Sequence, residues 1–309
     1  MARHRGELAP TNAAGPALNP TGDRSHWSLS MQPESPRDPP LRTLHLGDGP
    51  IAYCEEGDGV PVIAIHGAPG SVRDFRWLAS CLGADVRFIR VDLPGFGQTP
   101  LSTLPSAGFD SRSALMMRFA DALGLDRFVV LGHSVGGALA MQIAADAPDR
   151  VAGLALLGSM GLRPHRPFRE NPSAGRISAW LRLPIAGHLL THLVRKGFER
   201  TGFPRGMSAT SVRQTMALVA EIDFERQNRN VERLQMSTLV AWTEDDRLIE
   251  ADVSAELAVA CPDGPRLSFE SGGHNLQKTR AIETGSALQD WLPSLQMTST
   301  PRRPHRRVV

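Results

Sequence analysis

Leu131-Gly132-His133-Ser134-Val135-Gly136-Gly137 stands directly behind the apolar run 128–131 and directly ahead of the alanine-rich stretch 138–145. An apolar run, then Gly-x-Ser-x-Gly, then a helix former describes a strand that turns sharply into a helix. In such a turn the flanking glycines let the backbone crowd close, and the serine hydroxyl is left exposed at the positive end of the helix dipole. Gly-x-Ser-x-Gly also arises by chance in long chains, as a loop that merely caps a helix. The position between strand and helix favours Ser134 as a nucleophile.

Outward from this turn, short β-branched apolar runs alternate with longer helical stretches. Strands are predicted at 51–56, 62–65, 86–91, 128–131, 151–157, 239–242 and 267–269, and helices at 72–82, 111–123, 136–146, 251–261 and 276–292. This alternation predicts an α/β fold with a mostly parallel central sheet, and the continuous apolar runs predict helices on both faces of it. About eighty residues separate the runs at 154 and 239, more than a strand-helix-strand connection needs. They predict an inserted helical cap at 161–235, interrupting a core formed by 41–160 and 236–297. Within the insertion Trp180, Leu183, Leu190, Leu193, Val194 and Phe198 recur at near-helical spacing, as do Val212, Met216, Val219 and Ile222. These stripes are expected to pack the cap onto itself and the core, with one edge free to line a pocket.

The ends of the chain differ in composition. Residues 1–40 are rich in Pro, Gly, Ser, Asn and Arg with no apolar period, which predicts a disordered N-terminal arm. Residues 298–309 form a basic tail with Arg302, Arg303, Arg306 and Arg307 and no acid, so the remainder carries 30 basic against 32 acidic residues. A near-neutral body argues against a nucleic-acid partner, which would need a basic face on the folded domain. Cys54, Cys81 and Cys261 are odd in number and widely spaced, so neither a disulfide framework nor a zinc site is indicated and a reducing, cytoplasmic compartment is expected. No apolar run approaches the roughly 18 residues of a membrane-spanning helix, and no secretory leader is evident in the first thirty residues. A small-molecule substrate is therefore expected, with no integral membrane segment; composition says nothing of oligomeric state.

A serine hydroxyl needs a base within hydrogen-bond reach and a third group to hold that base's tautomer. Of the ten histidines, most fall in the tails, in other loop motifs or in the insertion; His274, in Ser271-Gly272-Gly273-His274 just beyond the run 267–269, is placed to serve. The run 239–242 ends in Glu244, Asp245 and Asp246, one of which can orient His274. An oxyanion requires backbone donors, usually the amide after the nucleophile and one from the loop after an earlier strand. Val135 supplies the first, and Ala68 in His66-Gly67-Ala68-Pro69-Gly70 is the choice for the second. His66 reads as a brace for that loop.

From about 44 to 295 the chain resembles the α/β-hydrolase superfamily, through HGAPG at 66–70, DLPGFG at 92–97, GHSVGG at 132–137, the acidic strand end and GGHNLQ at 272–277. The resemblance implies the α/β-hydrolase fold with its usual cap site, and it selects Asp246 over Asp245, giving the order Ser134, Asp246, His274. Two positions depart from the family pattern: Thr243 stands where glycine is common and Glu250 where proline is frequent. Asp92, Gly95 and Gly97 carry over as structural. Serine at the nucleophile position argues against the haloalkane dehalogenase and epoxide hydrolase branches, which resemble this chain but use aspartate there.

The expectation is a serine hydrolase of small to medium, largely apolar carboxylic esters, acting through an acyl-enzyme with no metal or organic cofactor. Carbon-carbon bond hydrolysis or perhydrolysis would use the same residues, and a ligand-binding member without useful turnover stands beside them.

Overall fold

Period-two alternation along the apolar runs sorts their side chains onto two faces, and the computed structural model shows what each face meets. It describes residues 36–297 apart from 48, 105–107, 171–173, 182, 201–202 and 204–205, so the expectations for 1–35 and for the basic tail 298–309 lie outside the described residues. The strands are β1 (Arg42–Leu46), β2 (Gly49–Glu56), β3 (Val60–Ile65), β4 (Val86–Val91), β5 (Phe128–His133), β6 (Val151–Leu157), β7 (Thr238–Thr243) and β8 (Arg266–Phe269). The helices are α1 (Arg76–Ala79), α2 (Phe109–Ala122), α3 (Val135–Asp146), α4 (Arg166–Glu170), α5 (Ala174–Trp180), α6 (Ala186–Arg200), α7 (Ala209–Ala220), α8 (Phe224–Glu232), α9 (Ala251–Ala260), α10 (Leu276–Thr279) and α11 (Ala281–Trp291).

The strands form one eight-stranded sheet in the order β1-β2-β4-β3-β5-β6-β7-β8. β2 runs antiparallel to both β1 and β4, and every pairing from β4 through β8 is parallel. This is the α/β-hydrolase architecture. Ile63, Ile65, Val130, Leu154 and Leu156 face one side, where Leu139 and Ile143 of α3 and Phe119 of α2 cover them. Val62, Ala64, Val129, Leu131 and Leu157 face the other, against Phe75, Leu78, Leu276 and Trp291. Each large apolar side chain so buried stabilises the fold by about 1.5–3 kcal/mol.

Two differences from the sequence reading have physical causes. β1 was not foreseen: Arg-Thr-Leu-His-Leu is short and mostly exposed, and it is a strand because its backbone pairs with β2, Leu44 opposite Ile51. The predicted helices at 72–82 and 276–292 are broken, the first by a 3₁₀ turn over Val72–Phe75 and the second between α10 and α11. Asp38, inside the stretch 1–40 read as an arm, is among the described residues and accepts from Arg90 Nη1 at 2.8 Å. Arg90 is buried on β4 and also donates to Glu56 at 2.8 Å, so the loop around Asp38 supplies a counter-charge the core needs.

Between β6 and β7 the chain forms α4 to α8, with α5 and α6 packed on α7, and α8 against α3. The apolar stripes there divide. Val212 and Met216 are buried as expected, whereas Trp180 is 60% exposed and Leu183 and Leu193 face solvent for about half or more of their surface. The periodicity marked helices, but it did not reveal which face another helix would cover.

Candidate active site

Ser134 sits between β5 and α3 with φ 55° and ψ −124°, and it alone among the described non-glycine residues has a positive φ. Such a conformation costs about 1–3 kcal/mol and persists only where its surroundings enforce it. The glycines on either side permit it: a Cβ on Gly132 would meet Gly136 O at 2.4 Å, and one on Gly136 would meet Ile65 O at the same distance. The turn is anchored by Ser134 N donating to Leu157 O and by Met160 N donating to Ser134 O, each at 3.2 Å. Backbone sterics therefore fix the direction of the hydroxyl before any side-chain partner acts.

His274 lies in the loop after β8, and its Nε2 accepts from Ser134 Oγ at 2.9 Å. Its Nδ1 donates to Asp246 Oδ2 at 2.8 Å. Asp246 stands after β7, where its Oδ1 accepts from Leu248 N at 2.8 Å and Ile249 N at 3.1 Å. Burial alone would push the Asp246 carboxyl up, but the hydrogen bond and charge of His274 and the two backbone amides hold it below the usual carboxylate range. Ser134, His274 and Asp246, chosen from sequence, are thus joined in one hydrogen-bonded line.

The two positions that depart from the family pattern both have partners here. Thr243 Oγ1 donates to Gly273 O at 3.1 Å, so the residue standing in for glycine braces the His274 loop. Glu250 stands just before α9, accepts from Arg166 N at 3.0 Å and pairs with Arg169, tying the α4–α8 segment to the Asp246 loop. Asp245, the neighbour set aside in favour of Asp246, accepts from Gly273 N at 2.7 Å. One turn therefore holds the histidine side chain with Asp246 and its loop backbone with Thr243 and Asp245.

Ala68 and Val135 both border the space in front of Ser134. Val135 is the first residue of α3, where backbone N–H groups lack intrahelical acceptors. The loop bearing Ala68 is braced by His66, which is fully buried, donates from Nδ1 to Gly67 O at 2.6 Å and accepts from Leu93 N at 3.0 Å through Nε2. Both ring nitrogens being used, His66 is structural. Asp92 is likewise spent on backbone, accepting from Val72 N at 2.7 Å and Gln98 N at 2.8 Å.

The space itself has two lobes that share Ala68, Ser134, Phe203, Leu248 and His274. One, of about 370 Å³, is apolar and runs under the inserted helices past Met160, Phe168, Ile177, Phe198, Met216 and Val219. The other, the polar lobe, of about 420 Å³, mixes charged and polar groups with apolar ones and lies among α1, α10 and loops of the core, with Phe203 at its border. His165 was passed over in the sequence because it falls in the insertion; it borders the apolar lobe, is 2% exposed, and has a buried Nδ1 with no partner among the described residues. Burial pushes its pKa down to about 4, which keeps it neutral near pH 7. Nothing in its local sequence distinguishes it from His188 or His192.

The α/β hydrolase fold family model matches residues 60–281. The chain belongs to the α/β-hydrolase fold family. Among its relatives, this α/β-hydrolase is 35% identical over 265 residues to the dihydrolipoyllysine-residue acetyltransferase component of the acetoin cleaving system of Pseudomonas putida, covering 82% of this chain and 70% of that one. It is 25% identical to the 2-hydroxy-6-oxononadienedioate/2-hydroxy-6-oxononatrienedioate hydrolase of a Pseudomonas species, over 79% of this chain and 92% of the relative. A thermophilic esterase from Thermogutta terrifontis superposes with a TM-score of 0.66 at 20% identity, covering 83% of this α/β-hydrolase and 99% of the esterase, a likeness of fold.

Proposed function

We propose that this α/β-hydrolase cleaves a small to medium, largely apolar carboxylic ester through an acyl-enzyme. The observation that carries this reading is the hydrogen-bonded line from Ser134 through His274 to Asp246, opening on an apolar lobe of about 370 Å³. Ser134 Oγ attacks the ester carbonyl while His274 Nε2 takes its proton, and Asp246 stabilises the imidazolium that results. The amides of Val135 and Ala68 receive the oxyanion. As the intermediate collapses, the carbon-oxygen bond breaks and His274 gives its proton to the departing alcohol. Water, deprotonated by the same imidazole, then releases the acid. The segment 161–235 acts as the cap that closes the apolar lobe over the acyl chain.

A second reading, carbon-carbon bond hydrolysis, draws on the names of relatives that are 24–25% identical. The test is covalent labelling with a fluorophosphonate, mapped by peptide mass and run beside Ser134→Ala and a panel of acyl esters. Labelling confined to Ser134, with ester turned over, supports the proposal. Labelling with no ester turned over favours the carbon-carbon reading, and absence of labelling in folded protein favours a binding role without turnover.

A further inference from the structure

The polar lobe has a charge pattern that an apolar ester leaves unused. Four cations border it, Arg73, Arg76, Arg247 and Lys278, against the carboxylates of Asp74 and Asp245. Both carboxylates already accept from backbone, Asp245 from Gly273 N at 2.7 Å and Asp74 from Ser71 N at 3.2 Å. Burial pushes the Asp74 carboxyl up, which weakens its counter-charge further. Arg73 has Asp38 at 3.6 Å, but among the described residues no carboxylate lies within ion-pair distance of Arg76, Arg247 or Lys278.

Further polar atoms in the same lobe are also unspent. Gln277 is 2% exposed and borders the lobe with its Oε1 unpartnered among the described residues. The Nε of the half-buried Arg76 and the Nε1 of Trp77 beside it are buried and unpartnered in the same sense. Buried polar atoms without partners cost about 1–3 kcal/mol each, so several around one cavity that opens on Ser134 describe a place for a polar ligand.

The position of the lobe says which part of the substrate it takes. His274 must hand its proton to the departing oxygen, so the departing group lies on the histidine's side of the scissile bond. Gly273, Asn275, Gln277 and Lys278, the residues around His274 in sequence, build a wall of the polar lobe and none of the apolar one. The acyl chain then occupies the apolar lobe and the alcohol the polar one.

We propose that the alcohol half of the substrate bears a carboxylate, held by Arg76, Arg247 and Lys278, while the acyl half is uncharged and apolar. The planar guanidinium of Arg76 suits a carboxylate, and the Trp77 ring beside it offers a flat wall for the body of the alcohol. The proposal rests on the ester-hydrolase reading and narrows its substrate class to monoesters of hydroxy acids.

The test compares two esters of equal size with the full chain, the butanoyl ester of 4-hydroxybenzoate and that of 4-hydroxybenzamide, each against wild type, Arg76→Gln and Arg247→Gln/Lys278→Gln. Because Arg247 and Lys278 are exposed, the double variant tests the lobe without disturbing the core. The expected result is a kcat/KM about tenfold higher for the anionic ester at low salt, the size of one charged hydrogen bond, with the ratio falling toward one in both variants. A ratio near one in wild type, with both esters hydrolysed, overturns the anion site and leaves the ester reading intact. Turnover of neither ester overturns the ester reading instead, and calorimetric binding of 4-hydroxybenzoate then decides the lobe by itself. Binding that is weakened in Arg76→Gln retains the site, and binding equal to that of 4-hydroxybenzamide removes it.

Discussion

His133 Nε2 donates to the backbone carbonyl of His274 at 2.9 Å, so the residue before Ser134 holds the loop that carries His274. Its rings sit 4.9 Å from those of His274, and its Nδ1 is buried without a partner among the described residues. Burial, reinforced by the charge of His274, pushes the His133 pKa down to about 3 from an ordinary 6.5. The folded protein therefore refuses a proton that the unfolded chain accepts. Stability is complete above about pH 6.5 and falls toward pH 3, by at most about 1.4 kcal/mol per pH unit from this one group. Melting temperatures between pH 7 and pH 4 should drop in wild type and drop less steeply in His133→Gln; equal slopes would remove His133 as the cause.

The strained turn predicts that activity and stability part company at one residue. Ser134→Ala keeps the positive φ and should lower kcat by about 10⁴-fold or more while leaving the fold intact. Ser134→Gly should be equally inactive yet more stable than Ser134→Ala by about 1 kcal/mol, because glycine adopts this backbone without strain. Denaturant unfolding of the two variants measures the difference.

The acidic turn predicts unequal costs for neighbouring aspartates. Asp246→Asn should lower kcat by about 10³–10⁴-fold, because an amide can no longer hold the imidazolium or its tautomer. Asp245→Asn, which only loosens the bond to Gly273 N, should cost less than about tenfold. Steady-state kinetics on one ester ranks them, and the reverse order would transfer the orienting role to Asp245.

Arg90 predicts a stability effect far from the site. Removing the Asp38 carboxylate takes one of two counter-charges from a buried guanidinium and leaves its Nη1 with the Val72 carbonyl at 3.2 Å, so Asp38→Ala should cost about 2 kcal/mol in urea unfolding. Arg73, whose side chain is largely exposed, should cost less than about 0.5 kcal/mol when replaced by Gln.

The depth of the apolar lobe is set partly by Val219 on α7. Val219→Trp should fill it, lowering kcat/KM for octanoyl relative to acetyl esters by about tenfold or more. An unchanged profile across the acyl series would mean that the chain runs elsewhere.

The sequence disclosed much of this site because backbone chemistry left local marks. Ser134 is announced by glycines that steric contact demands, and the buried parallel strands by unbroken apolar runs. Where a residue's role depends on something distant, the sequence was silent. β1 exists through its pairing with β2, His165 is buried because Phe168 of α4 and Phe224 of α8 pack against it, and Thr243 and Glu250 looked like departures until their partners appeared. The exposure of Trp180 and Leu183 has the same origin, since helical spacing carries no information about which neighbour arrives.

Because α4–α7 wall much of one lobe and residues 67–77 and 273–278 much of the other, the two ends of the proposed substrate would be read largely by different stretches of chain. Exchanging the insertion would bear mainly on the acyl preference and would reach the alcohol side through Phe203, which borders both lobes. Such a division would give evolution two largely separate dials on one reaction.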